Sequence, residues 1–374
     1  MPKYNKRKDG RYEKKIKLGT NDAGKVVYKT IYARTSVELE QKAAMILSAV
    51  SSGTYADDQK LTVLQWANHW LDTYKKDKSF STVSGYENII KNHIKSIHSI
   101  RLRDLHKSDV QQCINNASGH YDIQRRIKNT LNQMLEVAID DGLVSKNVCR
   151  GVTLPRKPKA ETRALTPKER SVLPTIDFSA EEKCFIWILW YAGLRPEEAR
   201  ALTVNDVDLH RKTITINKAV SFTQNQPVLS PPKTDAGFRT IDILSPLFPV
   251  LSDYLSSLDN LYLFSNSSGN LHTRTTYRRF WNKCFDKINI AMGGTCDRTE
   301  KGSIIKGIHA TDLTPYVFRH EYATILYYSG IDIKEAARLM GHADIKMILE
   351  IYAELDSKKS SATSKLEAFL ASDY

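Results

Sequence analysis

Three residues near the C-terminus have side chains that together could act on a phosphate group. They are Arg319, His342 and Tyr352, within the stretch TPYVFRHEYATILYYSGIDIKEAARLMGHADIKMILEIYAEL at 314–355. Arg319 sits among apolar residues, and an arginine drawn inward needs an anion or a carboxylate to offset its desolvation. A guanidinium, an imidazole and a phenol without nearby cysteine pairs or acidic clusters suggest phosphate chemistry without a metal. The alternative is that they only pack in a core, as a lone tyrosine on an apolar face usually does.

Local signals predict three helices that would carry these side chains. Thr314 followed by Pro315 is typical of a helix start, and Gly330 supplies a left-handed stop. A capping box that opens at Asp332 predicts a second helix, which ends at Gly341. A third helix is expected from near residue 344. Apolar residues at spacings of three and four define its buried side, which comprises Ile345, Ile348, Leu349, Tyr352 and Leu355.

Two further cations precede this stretch, at places where they could meet a phosphate. Pro196 can begin a helix, which leaves Arg195 at the helix mouth, where backbone amides already favour an anion. The alternative is that Arg195 only pairs with Glu198. Lys233 lies in a predicted turn at 231–237, among short β-branched runs that predict a small antiparallel sheet. Its ammonium could swing over a substrate on this hairpin, although a lysine in a loop is usually just solvated.

Charge and cysteine usage narrow the class of protein. The 374 residues carry a formal net charge of +13, so a polyanion is the first partner to consider, although a merely basic globular protein would show the same balance. The five cysteines are odd in number and include no CxxC pair, which argues for a reducing cytoplasm and against a zinc site. No apolar run is long enough for a membrane span, and the basic N-terminus leads into no signal core. We therefore expect a cytoplasmic protein without a cofactor.

The chain divides into three predicted domains, which together give an α+β fold that is mainly α. Residues 1–53 predict a β-hairpin and a helix, and basic residues interleaved with tyrosines on the hairpin could read a DNA groove. The alternative is a solvated charged ribbon. Residues 60–153 predict four or five amphipathic helices in a small bundle. A basic, proline-bearing linker at 155–162 leads to a mixed α/β domain at 163–374, whose last helix, after residue 357, could dock on a neighbouring protomer.

An ordered set of motifs resembles the tyrosine recombinases of the phage integrase family. In chain order they are GLRPEE at 193–198, Lys233, YVFRH at 316–320, GH at 341–342 and Tyr352. Each motif alone is weak, whereas their order and separation are specific, and the resemblance covers nearly the whole chain. The layout is most similar to integrases of conjugative transposons. It implies an arm-type DNA-binding domain, a helical core-binding domain and a catalytic domain.

Carried over position by position, the family's roles fall on residues already singled out. Tyr352 would be the nucleophile, and Arg195 and Arg319 would clamp the scissile phosphate. Attack on a phosphodiester builds charge on its nonbridging oxygens, and two fixed guanidiniums stabilise that charge. A phosphotyrosyl linkage keeps the energy of the broken diester, so rejoining to a new strand needs no ATP.

The resemblance also implies an acid and reveals one departure from the family pattern. Lys233 would protonate the leaving 5′ oxygen, and His342 would hydrogen bond a phosphate oxygen. His320 matches the partly buried histidine that follows the second arginine. The family usually has histidine where this chain has Tyr316. A phenol can donate to phosphate but is a poor base near neutral pH, so the resemblance does not identify the base for Tyr352.

The resemblance implies a site-specific recombinase that integrates and excises a mobile element through a 3′-phosphotyrosyl intermediate. Its partners would be double-stranded DNA at core and arm sites, other copies of the chain in a tetrameric synapse, and a DNA-bending accessory factor. One alternative is a type IB topoisomerase, which shares the chemistry but relaxes DNA without sequence preference. The N-terminal hairpin and the tail argue against it. The other alternative is a noncatalytic DNA-binding regulator in which these residues only pack.

Overall fold

The chain forms two compact units, Met1–Pro158 and Lys159–Tyr374. The computed structural model describes residues 6–7, 10–20, 26–51, 61–157, 163–297, 307–310 and 312–357. The predicted hairpin turn, the predicted tail helix and part of the predicted linker lie outside the described residues. None of the described helices combines the length and the apolar character that crossing a bilayer requires. The finer division into three domains stays a prediction.

The first unit begins with the small sheet and helix that the alternating pattern predicts. Strand β1 (Tyr12–Thr20) pairs antiparallel with β2 (Val26–Ala33), and helix α1 (Ser36–Ser51) packs on them. Strand β1 buries one isoleucine while the lysines on either side of it stay exposed, because successive side chains of a strand point to opposite faces. All three elements contribute to a small apolar core, which comprises Ile16, Ile31, Ala33, Leu39 and Ala43.

Helices account for most of the rest of the first unit. They are α2 (Val63–Tyr74), α3 (Phe80–Asn88), α4 (Lys107–Asn115) and α5 (Tyr121–Asp140). A capping box between Thr62 and Gln65 opens α2, and α5 buries an apolar stripe at helical spacing. Trp70 and Met134 are buried in the shared core, where Trp66 donates its indole hydrogen to the Met134 carbonyl at 3.0 Å. The predicted small helical bundle is confirmed.

An apolar helix forms the centre of the second unit. The helices in its first part are α6 (Pro167–Val172), α7 (Ala180–Tyr191), α8 (Pro196–Ala199), α9 (Phe248–Ser256) and α10 (Arg274–Ala291). Every residue of α7 from 184 to 190 is buried, as its nearly continuous apolar sequence predicts. Phe185 on this helix meets the rings of Phe264 and Phe280 edge to face, with ring centres 5.1 and 5.3 Å away.

Two small sheets replace the single antiparallel sheet that the β-branched runs predict. Strands β3 (Val207–Asp208), β4 (Thr213–Ile216) and β7 (Arg239–Asp242) form one sheet, and β5 (Ala219–Thr223) and β6 (Gln226–Ser230) form a separate hairpin. The prediction of one sheet is therefore wrong. Lys218, between β4 and β5, donates to both carboxylate oxygens of Asp206 at 2.6 Å. The sheets are separate because β4 pairs with β3 on one edge and with β7 on the other, which leaves neither edge for β5 or β6.

Three helices end the described chain, close to the predicted boundaries. They are α11 (Pro315–Tyr328), α12 (Ile333–Met340) and α13 (Lys346–Ser357). Asp332 caps α12, although Glu335 pairs with Arg338 instead of completing a capping box. The predicted buried side of α13 is only partly correct. Ile348 and Tyr352 are buried, whereas Ile345 and Leu349 are 47% and 48% exposed, because α13 presents only a narrow stripe to α11 and α12.

Candidate active site

A pocket of about 580 Å³ lies in the second unit, where α8, the loop after β6, the start of α11 and the connection between α12 and α13 meet. Four residues that the sequence singled out line it, together with two glutamates of α8: Arg195, Lys233, Tyr316, His342, Glu197 and Glu198. Arg319 contacts His342 from the protein interior. The pocket therefore brings together five of the six predicted site residues.

Arg195 stands at the start of α8, as the proline after it predicts. Its Nη1 donates to Oε1 of Glu198 at 2.7 Å, and its Nη2 donates to the Gly341 carbonyl at 2.9 Å. The predicted alternative, a pair with Glu198, is thus present. The pair does not bury the guanidinium, because 32% of the Arg195 side chain stays exposed and it lines the pocket. Arg195 can therefore meet an anion while Glu198 fixes its orientation.

Arg319 is buried and is held by main-chain oxygens. Its Nη1 donates to the Gly193 carbonyl and its Nη2 to the Met340 carbonyl, both at 2.6 Å. Burial, and then the charge of Arg195, lowers the pKa of Arg319 to about 9. The group therefore stays cationic at neutral pH. These two carbonyls lie just after α7 and at the end of α12, so the hydrogen bonds of Arg319 connect α11 to both helices.

A buried carboxylate balances these charges. Glu198 accepts from Arg239 at 2.8 and 3.1 Å in addition to Arg195, and Nη1 of Arg319 lies 3.9 Å from it. Burial alone would raise the pKa of Glu198, but the hydrogen bond and charge of Arg239, with the charges of Arg319 and Arg195, lower it to about 2. One carboxylate thus holds three guanidiniums close together, although like charges repel.

The sequence analysis missed Arg239, which is buried and also donates through Nε to the Leu339 carbonyl at 2.8 Å. A signal for it was present. Strand β7 reads Arg239, Thr240, Ile241, and its burial alternates so that Arg239 and Ile241 face inward while Thr240 faces out. An arginine in phase with a buried isoleucine needs an internal partner, and Glu198 is that partner.

His342 is neutral near pH 7, and its tautomer can be assigned. Burial, and then the charges of Arg319 and Arg195, lowers the pKa of His342 to about 3. Its Nε2 lies 2.8 Å from Nη2 of Arg319, and because a guanidinium only donates, Nε2 must accept. The ring hydrogen is therefore on Nδ1, which is buried and has no hydrogen-bond partner within the described part of the chain. An anion bound beside this atom would supply the missing acceptor.

Two glycines stand where a side chain would clash with groups around the site. Gly341 ends α12 in the left-handed conformation with φ of 64°, and a Cβ there would lie 2.5 Å from Nη1 of Arg239. Gly193, two residues after the end of α7, has a φ of 62°, and a Cβ there would lie 2.1 Å from the ring of Tyr322. Side chains at these positions would displace the groups that hold Arg319 and Arg195.

Tyr316 and Glu197 form a second pair on the pocket wall. The Tyr316 hydroxyl donates to the carboxylate of Glu197, with both oxygens at 3.0 Å. Although 45% of Tyr316 is exposed, partial burial and the Glu197 charge raise the pKa of Tyr316 to about 12. The phenol is therefore protonated at neutral pH. The sequence analysis did not single out Glu197, because no local pattern links it to a residue 119 positions away.

Lys233 lines the pocket from the loop between β6 and β7. It lies three residues beyond the end of β6, within the turn predicted at 231–237, although β6 and β7 do not pair with each other as the predicted hairpin would require. The loop lysine that the sequence predicted as a solvated residue or a mobile cation thus lines the pocket.

The structure does not place the Tyr352 hydroxyl in this pocket. It donates to the Ile331 carbonyl at 3.2 Å, and the ring packs nearly at right angles on Tyr327, with ring centres 5.0 Å apart. Burial raises the pKa of Tyr352 to about 12. We expected Arg319, His342 and Tyr352 to meet in one place. The first two do, whereas Tyr352 faces the connection between α11 and α12 in this conformation.

The partly buried histidine that follows Arg319 is also where the motif predicts it. Burial, and then the charge of Arg319, lowers the pKa of His320. Elsewhere, all five cysteines are free. Among the described residues no group of three histidine, cysteine, aspartate or glutamate side chains could hold a metal ion.

Comparison with protein families gives two matches. Residues 168–359 match the phage integrase family, and residues 62–118 match the phage integrase N-terminal SAM-like domain. The first match alone spans more than half of the 374 residues. It contains every residue of the pocket described above.

Similar proteins cover most of the chain. The tyrosine recombinase XerC-like protein of Caldanaerobacter subterraneus is 22% identical, over 94% of this chain and 94% of that protein. The transposase from transposon Tn916 of Enterococcus faecalis is 25% identical, over 89% of this chain and 84% of that protein. Among solved structures, the Tn1549 transposon integrase with circular intermediate DNA has a TM-score of 0.69 at 20% identity, covering 83% of this chain and 99% of that one. A lambda integrase tetramer bound to a Holliday junction has a TM-score of 0.57 at 14% identity and covers 94% of each chain.

Proposed function

The chain belongs to the phage integrase family, and on that premise we propose how its own residues carry out the reaction. It is a DNA-binding tyrosine recombinase of a mobile element, which breaks DNA strands and rejoins them at specific sites. The observation that carries the assignment of the site is the pocket in which Arg195, Arg319 and His342 converge. Its cations can neutralise a scissile phosphate, and the buried Nδ1 of His342 can donate a hydrogen bond to it.

In this proposal Arg195 and Arg319 stabilise the phosphate during attack. Negative charge builds on the nonbridging oxygens in the transition state, and fixed donors are effective because they need no reorganisation when that charge develops. Glu198 orients Arg195, while carbonyl oxygens orient Arg319. His342 donates from Nδ1 to a phosphate oxygen. Each of these contacts is made without a metal.

Tyr352 is the proposed nucleophile. Its oxygen attacks phosphorus, a 3′-phosphotyrosyl bond forms, and the bond from phosphorus to the 5′ oxygen breaks. Lys233 gives that leaving oxygen a proton. For this step the Tyr352 hydroxyl must leave the Ile331 carbonyl and enter a pocket, so α13 must move relative to α11 and α12. The attack of a free 5′ hydroxyl on the phosphotyrosine reverses the step and joins a strand.

We propose core and arm DNA sites for the helical part of the first unit and for the N-terminal sheet, respectively. The basic net charge of +13 supports this, because neutralising phosphates releases counterions from DNA. We further propose that four copies act together in a synapse with a DNA-bending accessory factor. A tetramer is the form in which the similar lambda integrase was seen on a Holliday junction. The free cysteines are consistent with the proposed cytoplasmic location.

The nucleophile is tested with a suicide DNA substrate. Its short released fragment, which carries the free 5′ hydroxyl, diffuses away after cleavage, and the covalent complex is trapped. Wild-type protein is expected to form the adduct, whereas Tyr352→Phe should bind the same DNA and form none. Tyr328→Phe is the matched control, because Tyr328 is an exposed tyrosine on the neighbouring helix α11. An adduct with Tyr352→Phe at the wild-type rate would refute the assignment.

Two alternatives have distinct outcomes in the same assay. The position of Tyr352 outside the pocket is the observation that favours a noncatalytic DNA-binding regulator. Binding of element-end DNA with no trapped adduct for any variant would support that alternative. Relaxation of supercoiled plasmid that lacks element sequences would instead support a type IB topoisomerase.

A further inference from the structure

Tyr316 and Glu197 are brought together by the fold and face the same pocket as the phosphate-binding cations. Glu197 lies on α8, precedes Glu198 in the sequence, and is half-buried. Tyr316 lies at the start of α11, one turn before Arg319. Its hydroxyl hydrogen is directed at the Glu197 carboxylate, so the lone pairs of the phenol oxygen stay available to accept another hydrogen.

A neutral phenol cannot take up a proton and keep it at neutral pH, but it can pass one on. When a donor gives a proton to the phenol oxygen while the phenol gives its own proton to a carboxylate, the phenol ends neutral and the carboxylate ends protonated. Tyr316 has the required partner at 3.0 Å. Its proton is also fully present near pH 7, because partial burial and Glu197 raise the pKa of Tyr316 to about 12.

The other basic groups of the pocket are committed elsewhere. Glu198 is held by arginines, which lower its pKa to about 2. His342 uses Nε2 to accept from Arg319. Asp344 accepts from the backbone N–H of Lys346 at the start of α13. Glu197 differs from these groups because its carboxylate receives a hydroxyl that itself faces the pocket.

We propose that Glu197 is the general base of strand cleavage and acts through the hydroxyl of Tyr316. This proposal rests on the proposed function of Tyr352 as nucleophile. The Tyr352 proton moves to the Tyr316 oxygen as the Tyr316 proton moves to Glu197. The Tyr352 oxygen bonds to phosphorus, and the bond from phosphorus to the 5′ oxygen breaks. Lys233 supplies the proton for that oxygen. In the rejoining step Glu197 returns its proton to Tyr352 along the same path.

The first test measures the single-turnover rate of adduct formation by the full chain on suicide DNA. Glu197→Gln can still accept the Tyr316 hydrogen bond but cannot take a proton, so we expect a loss of about 100-fold or more. Tyr316→Phe breaks the relay from its other side and should show a similar loss. Asp344→Asn changes an exposed carboxylate of the same pocket and should retain at least about a third of the rate, since no proton transfer is assigned to it.

A second arm distinguishes a base from a structural support. Tyr316→His places an imidazole at this position, and the imidazole can take the proton itself near neutral pH. In that background Glu197→Gln should slow adduct formation by less than about 3-fold, because the carboxylate is no longer the proton acceptor. A merely structural Glu197 would give the same loss in both backgrounds, and that result would overturn the proposal.

A third arm uses DNA with a sulfur in place of the leaving 5′ oxygen. The sulfur departs as a thiolate and needs no proton from Lys233. The substitution should rescue Lys233→Ala, whose defect is in the acid, and should not rescue Glu197→Gln. Rescue of both variants would overturn the relay, as would a Glu197→Gln rate within about 3-fold of the parent. DNA binding by each variant, measured in parallel, identifies a folding defect, and Tyr316→Phe then tests the same relay independently.

Failure of the proposed function has a different signature. If the parent chain forms no adduct, or Tyr352→Phe forms it normally, the nucleophile assignment fails and the relay fails with it. If the adduct depends on Tyr352 but is indifferent to Glu197→Gln, the recombinase assignment stands and only the relay is overturned.

Discussion

At the scale of single residues, one buried carboxylate determines how the cations of this pocket are arranged. Glu198 contacts Arg195 and Arg239 directly and lies 3.9 Å from Arg319. Without it, three guanidiniums would face one another in a poorly solvated place. Because removing one partner of a buried pair leaves the other charge uncompensated, such changes are costly. Glu198 therefore supports both stability and the geometry of the proposed phosphate clamp.

Stability should depend on pH through Glu198. Its pKa is about 2 in the folded chain and 4.5 for an unperturbed glutamate. A lowered folded-state pKa contributes stability that is present above pH 4.5 and is lost as pH falls toward 2, by about 3 kcal/mol in total. We expect the free energy of unfolding, measured by urea denaturation, to fall by this amount as pH decreases. In Glu198→Gln this contribution to the pH dependence should be absent.

The control for this prediction is Glu350→Gln, which changes an exposed glutamate on α13. It should keep the parent's stability profile between pH 6 and pH 2.5. A profile for Glu198→Gln that falls as steeply as that of the parent over this range would show that Glu198 is not the responsible group.

At the scale of elements, two segments must hold or move reactive groups. Helix α13 carries Tyr352 and is attached to α11 and α12 mainly by the buried side chains of Ile348 and Tyr352. The loop after β6 carries Lys233. The first has to be released for the proposed attack, whereas the second has to hold its lysine near the leaving oxygen. We therefore expect α13 to be mobile and the loop after β6 to be rigid when DNA is bound.

Helix α13 should become more mobile when DNA binds. The hydrogen bond from Tyr352 to the Ile331 carbonyl has to break before Tyr352 can reach a phosphate. Hydrogen exchange of the Lys233→Ala protein, which keeps the Tyr352 hydroxyl but lacks the proposed acid, should speed up in α13 on adding element-end DNA. The amides of α7 are the internal reference, since that helix is buried. Unchanged exchange in α13 would contradict the need for release.

The loop that carries Lys233 should not tolerate a methyl group at Gly237. A Cβ there would lie 2.4 Å from Cβ of Pro232, whose ring cannot rotate away, so the backbone must shift. We expect Gly237→Ala to slow cleavage about 10-fold by misplacing the acid. DNA with a 5′ sulfur leaving group should restore most of the rate.

Gly85→Ala is the matched control for the loop prediction. Its Cβ would meet only Nη2 of Arg126 at 3.8 Å, an ordinary contact. Cleavage by Gly85→Ala should equal that of the parent. If Gly237→Ala were as active as Gly85→Ala, the loop would not be holding Lys233 in place.

At the scale of the whole molecule, charge and modular construction support the DNA-binding role. The N-terminal sheet has its own small core, separate from that of the helical part, and exposes basic side chains. The ammonium of Lys15 lies 4.8 Å from the centre of the Tyr28 ring, so tyrosine and lysine present one mixed surface. A surface of this kind can contact DNA phosphates.

Replacing exposed lysines of β1 should weaken DNA binding through its salt dependence. Each phosphate contact contributes about 0.9 to the slope of log affinity against log salt, so Lys15→Ala with Lys17→Ala should lower the slope by about two. Affinity for element-end DNA is measured by fluorescence anisotropy at several salt concentrations. Lys42→Ala is the control, because Lys42 pairs with Glu38 on α1 at 2.7 Å. Equal slopes for both variants would argue against the sheet as an arm-site reader.

Local signals in the sequence were sufficient for many of the elements. Thr314 and Pro315 marked the start of α11, and Gly341 marked the end of α12, because helix ends depend on hydrogen bonds and dihedral angles of adjacent residues. Alternation predicted the N-terminal hairpin. The spaced motifs also indicated the family, which the match over residues 168–359 established. Each of these inferences uses information that is contiguous or ordered along the chain.

The tertiary structure alone decided which charges face one another. Arg239 reaches Glu198 across 41 positions and Tyr316 reaches Glu197 across 119, and neither spacing follows from any local period. Likewise, periodicity placed Tyr352 on a buried face of α13 but could not say that its hydroxyl would meet Ile331 instead of the pocket. The helical period fixes which way a side chain leaves its own helix. What it meets there depends on how distant segments pack, and that is set by the shared core of the whole unit.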